Sequence, residues 1–140
     1  MGFGLTAEIV AEFASRPFIQ KAILNPRIPQ SVLSFWFGLD LDEEDSKRQL
    51  KDSSILSKMT PFWFSSHADY DALCRNFNDV VREAGSGGEL IQSKEWETVD
   101  GKVARIILCD QLARNCFRGT AEAFAYDRFV HLLGGSFYIS

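Results

Sequence analysis

From residue 66 to residue 88 apolar and polar positions alternate with a helical period. At about 100° per residue, Tyr70, Leu73, Phe77, Val80, Val81 and Ala84 fall on one face, and Asp71, Arg75, Asn78, Arg82 and Glu83 on the other. That pattern predicts one surface helix packed by a single apolar stripe. Ser66 and Asp69 resemble a capping box at its start, and "GSGG" (85–88) stops it. Upstream, Thr6 can cap a helix carrying Ile9, Val10 and Phe13 on one side, which Pro17 breaks. "NPRIP" (25–29) reads as a stiff connector, and "SVLSFWFG" as a short aromatic helix ended by Gly38. Residues 40–58 are highly charged and read as a solvated helix or loop; Asp42 to Asp45 lack the ligand spacing and central glycine of a calcium loop. Downstream, Asp100 can cap a helix that Gly119 ends. Thr120 then caps another reaching about Leu133, with Glu122 in its first turn. No stretch alternates with the period of two that a half-buried strand needs, so the chain reads as all-α, without a sheet.

The helix between Asp100 and Gly119 has charged residues where its core face should be. Val103, Ile106, Ile107 and Phe117 form its apolar stripe, and Asp110 and Arg114 lie in the middle of it. The two are spaced i,i+4, so their side chains can meet, and burial of both predicts an ion pair. Such a pair can simply fix helix register. It can also floor a pocket in which Arg114 or Arg118 receives an anionic ligand, because the guanidinium fork suits carboxylate and phosphate. Asp127 and His131, again four apart, are weak catalytic candidates. A carboxylate beside an imidazole fixes its tautomer, as a general base requires. No serine, threonine or cysteine in the sequence marks itself as their nucleophile, so a structural pair is the first expectation. Trp36, Trp63 and Trp96 read as core anchors, with pocket lining as the alternative.

Composition narrows the function classes. The 140 residues, 46% of them hydrophobic and 24% charged, suit an ordinary globular domain. A net charge of −4 without a basic run argues against nucleic acid, whose binding depends on Lys and Arg against phosphate. No apolar run approaches the roughly 20 residues that span a bilayer. The odd set Cys74, Cys109 and Cys116 lacks metal-ligand spacing with His67 or His131, which predicts buried thiols in a reducing, cytoplasmic setting and no metal. "GSGG" lacks the lysine of a phosphate-binding loop, so no cofactor is expected. "MGFGLT" fits the bare N-myristoylation pattern, but Phe3 is bulky for it, and neither a signal nor a transit peptide is recognisable.

Several of these stretches resemble the DUF924 family, a domain of unknown function. They are "VLSFWFG" (32–38), "YDALCRNF" (70–77), Trp96 and above all "DQLARNCFRGTAEAFAYD" (110–127), so that the resemblance covers roughly residues 32–133. It implies an α-helical fold similar to tetratricopeptide-type helix stacks, with residues 1–29 as an N-terminal extension and connector and 30–140 as the domain. It implies no reaction. The family's characteristic polar set falls on Asp110, Gln111, Arg114, Asn115, Arg118 and Asp127; all of these but Asp127, together with Trp36 and Trp63, are the candidate ligand-binding residues. Ala113 stands where the family often has proline. Family members also continue with further helices where this chain reads "GGSFYIS". From this follows the expectation of self-association through an apolar surface at 124–139, or of marginal stability alone. The reading that needs least is a helical binding module for a small anionic ligand, a protein or a peptide. A hydrolase-like enzyme acting on an anionic substrate, and a truncated paralogue without activity, are the alternatives.

Overall fold

The structure is a computed structural model and describes residues 4–43 and 53–126. Helices account for the regular structure throughout, and no strand occurs among the described residues. In chain order they are α1 (Ala7–Ser15), α2 (Pro17–Leu24), α3 (Pro29–Phe37), α4 (Ser53–Trp63), α5 (Ala68–Cys74), α6 (Asn78–Ser86), α7 (Val99–Ile106) and α8 (Ala113–Cys116). A π-helical segment, Ile107–Leu112, joins α7 to α8 without a break. Among the described residues no helix is long and apolar enough to cross a membrane.

Local chemistry explains most boundaries. The Thr6 hydroxyl accepts from the Ile9 N–H at 3.2 Å and starts α1. Pro17 and Pro29 open α2 and α3, where a missing N–H costs nothing and the fixed φ is already helical. Gly38 closes α3 at φ +65°, and a Cβ there would stand 2.9 Å from the sulfur of Met59. Two other starts differ from those the sequence suggests. His67, not Ser66, caps α5, its Nδ1 accepting from the Asp69 N–H at 3.2 Å. Thr98, not Asp100, caps α7, accepting from the Gly101 N–H at 3.0 Å. In both places several adjacent polar residues can cap, and tertiary packing selects among them. The expected helix after Thr120 is, over its described part, one 3-10 turn, Ala121–Phe124. The Thr120 hydroxyl does not cap it but donates back to the Phe117 carbonyl at 2.6 Å.

The single helix predicted between residues 66 and 88 is two. A 3-10 turn, Arg75–Phe77, separates α5 from α6. Three residues at about 120° instead of about 100° advance the buried face by about 60°. The stripe formed by Phe77, Val80, Val81 and Ala84 then lines up with Tyr70, Asp71 and Cys74, all of which are buried. Asp71 is thereby moved from the expected solvated face into the interior.

The core joins aromatic residues from across the sequence. Phe13 of α1 meets Phe62 of α4 with ring centroids 4.7 Å apart, and Phe35 of α3 stacks on Tyr70 of α5 at 5.8 Å. Phe77 completes the cluster, 5.0 Å from Phe35. Rings of this size supply most of the apolar area available to short helices. Residues 10–22 therefore share one core with the helices that follow.

Candidate functional site

The long helix over residues 99–116 carries Asp110, Gln111, Arg114 and Asn115, and close packing fixes it at its start. Gly101 lies against the turn before it, so that a Cβ would stand 2.5 Å from Trp96 Cα. Beyond Ile106 the backbone bonding changes to the π pattern. Bonds that run i→i+5 under-wind the chain relative to an α-helix, and such turns are frequent at functional sites. Asp110 lies within this turn and is buried.

Asp110 and Arg114 meet as the i,i+4 spacing implies, with Arg114 Nη2 3.4 Å from Asp110 Oδ1. The Gln111 side-chain amide donates to the other carboxylate oxygen. Arg114 is nevertheless not buried. Its side chain is 42% exposed against 13% for Asp110. The under-wound turn shifts the register of the residues that follow, and Arg114 stands at the rim while Phe117 keeps its place in the core. There its guanidinium carbon lies 5.4 Å from the ring centroid of Phe124, a cation–π distance.

The rest of the polar set serves a different carboxylate. Asp71 of α5 accepts from Arg118 Nε at 2.8 Å and from Arg118 Nη2 at 3.3 Å. It also accepts from the Asn115 amide at 3.0 Å. A two-pronged guanidinium and an amide meet most of what a buried carboxylate can accept. Beside them the Cys116 thiol donates to the Cys74 carbonyl at 3.1 Å. Asp71, Asn115 and Arg118 thus clamp α5 to the end of the long helix. Asn115 and Arg118 are committed to this clamp, while Asp110, Gln111 and Arg114 form a second group.

A third polar contact borders the second group. Arg82 of α6 donates to Glu122 at 2.8 Å, and the Tyr126 hydroxyl donates to the same carboxylate at 2.7 Å. These bonds, that from Arg82 first, hold the Glu122 carboxyl below its usual range. The Arg82 guanidinium also covers the Phe117 ring at 4.7 Å.

The tryptophans divide between two places. Trp36 and Trp63 stack at 5.5 Å, with Trp63 Nε1 donating to the Trp36 carbonyl at 3.0 Å. Trp96 is buried and donates to the Arg27 carbonyl at 3.3 Å. All three cysteines are buried, and none forms a disulfide among the described residues. Burial pushes the Cys116 thiol up to about 12 and the Cys74 thiol well above its ordinary value, so neither is a ready nucleophile. Asp127, His131 and residues 127–139 of the C-terminal apolar surface lie outside the described residues, as do Glu44 and Asp45 of the acidic run.

The residue that sequence reasoning missed is Asp71. Asn115 on a tightly packed helix and Arg118 in the turn after it, an amide and a cation, call for an acceptor. Choosing it from 19 acidic residues requires knowing about the turn at Arg75–Phe77.

A helical protein that, among the described residues, buries two carboxylates, one held by Arg114 of the long helix and the other by Arg118 in the turn just beyond it, is what the geometry defines. The family described as "Bacterial protein of unknown function (DUF924)" matches residues 32–134, and the chain belongs to it. No curated protein and no solved structure matches the chain.

Proposed function

We propose that the protein is a helical binding module whose polar site, Asp110, Gln111 and Arg114, receives the anionic group of a small ligand or of an acidic peptide. The observation that carries this reading is the position of Arg114. It stands at the rim, half-exposed, between a buried carboxylate that holds one edge at a long 3.4 Å and the face of Phe124. A guanidinium so placed is held in orientation at the rim, and its fork suits a carboxylate or phosphate. The π turn supports the same reading, because it spends regular helical bonding to place Asp110 here. Arg118, the other candidate, belongs to the Asp71 clamp and acts on stability. The architecture that fits the reading is a tetratricopeptide-like stack, supported by short consecutive helices with tight proline and glycine boundaries. The buried thiols suit a reducing, cytoplasmic setting.

The test is thermal unfolding of the full chain in inorganic phosphate, acetate or succinate. A bound anion at 100 times its dissociation constant adds about 2.7 kcal/mol. At least one probe is expected to raise the melting temperature saturably, and Arg114→Gln to abolish the response. Absence of any saturable response, or a full response in Arg114→Gln, contradicts the proposal.

A further inference from the structure

A cavity lies away from the polar site, between α1, the end of α3 and α4. Its volume is about 360 Å³, which falls in the range of small-molecule sites. Leu39, Ile55, Met59 and Phe62 form its floor, and all four side chains are buried. The two charged residues that line it, Arg16 and Lys58, are both cations. No acidic residue lines it among the described residues. Arg16 is held in place by a two-pronged contact to Glu12, at 2.7 and 3.1 Å. The left-handed turn at Gly38 shapes the wall: it carries the chain from α3 to Leu39 while Met59 fills the place where a side chain would stand.

We propose that this cavity binds a medium-chain alkyl carboxylate, with its chain on the apolar floor and its head group between Arg16 and Lys58. An uncharged alkane would gain from the floor alone and a cationic amphiphile would be repelled at the rim. A small hydrophilic anion would leave the floor uncovered. Only an amphipathic anion satisfies both parts of the lining. The site is built from elements other than the helix that carries Asp110 and Arg114, so its test stands apart from that of the polar site.

The experiment is calorimetric titration of the full chain with decanoate below its micellar concentration, with decanol and decyltrimethylammonium as companions. One saturable decanoate site is expected, with decyltrimethylammonium at least tenfold weaker. Lys58→Glu, a surface change, is expected to weaken decanoate at least tenfold without lowering the melting temperature of the free protein. Leu39→Trp, which fills the floor, is expected to abolish binding; if it fails to fold, Ile55→Phe replaces it. Non-saturable uptake, equal binding of the cationic amphiphile, or undiminished affinity in Lys58→Glu overturns the proposal. Decanol binding as tightly as decanoate also overturns it, because the cations would then contribute nothing.

Discussion

Asp71 Oδ2 accepts a 2.8 Å bond from Arg118 Nε across 47 residues of sequence, and this contact ties α5 to the end of the long helix. The two partners are unequally exposed, with side chains at 9% for Asp71 and 42% for Arg118. Removal of the arginine leaves a buried carboxylate with the Asn115 amide as its remaining contact in the clamp. Removal of the carboxylate leaves a guanidinium that water already reaches and one buried neutral group, the Asn115 amide, without this acceptor, which costs less than an uncompensated buried charge. Arg118→Ala is therefore expected to cost about 2–3 kcal/mol and Asp71→Ala less, about 1–2 kcal/mol. Urea unfolding of both single variants and the double variant measures the coupling. The reverse order, or additive effects, would show that the clamp is not a coupled unit.

Arg114 is expected to behave differently in the same assay. Its side chain is half-exposed and its contact to Asp110 is long, so solvent screens the pair. Arg114→Ala should cost about 1 kcal/mol. A loss comparable to that of a fully buried pair would mean that Arg114 is a structural element before anything else.

Gly101 is a packing requirement. A methyl group there would meet Trp96 Cα at 2.5 Å, against backbone that cannot turn away. Gly101→Ala is expected to destabilise by about 1–3 kcal/mol, even though alanine is the better helix former. A neutral or stabilising effect in thermal or urea unfolding would show that the turn at Lys94–Trp96 moves freely.

Glu122 supplies a pH signature. Its carboxyl is held below the usual 4.5, first by Arg82 and then by Tyr126. A group lowered in the folded state contributes stability that is present above the unfolded value and lost as pH falls through the folded one. Glu122→Gln should therefore flatten the acid limb of the stability curve below pH 4.5 and leave its shape at neutral pH unchanged. Identical acid limbs in the two proteins would remove Glu122 from the set of linked groups.

Much of this architecture is readable from pattern. The Thr6 cap, the breaks at Pro17 and Pro29 and the stop at Gly38 all follow from side-chain and backbone chemistry within a few residues. The Asp110–Arg114 contact follows from spacing alone. What pattern does not carry is a change of helical pitch. A regular wheel places Asp71 outside and Arg114 inside, whereas the structure buries Asp71 and leaves Arg114 half-exposed at the rim. The 3-10 turn at Arg75–Phe77 advances one face, and the π turn at Ile107–Leu112 holds another back. Neither turn has a local residue signature, because each is stabilised by what the neighbouring helices bury. The division of one polar block into the Asp71 clamp and a separate group around Asp110 and Arg114 follows from those two turns.

That division is the central claim, and parallel binding measurements on two arginine variants test it most directly. Both are made at a temperature where each variant is fully folded, with whichever of phosphate, acetate or succinate binds the unaltered chain. Arg114→Gln is predicted to lose anion binding while remaining nearly as stable as the parent. Arg118→Gln is predicted to keep the parent's affinity while unfolding at lower urea. Binding lost in Arg118→Gln and retained in Arg114→Gln would contradict the account.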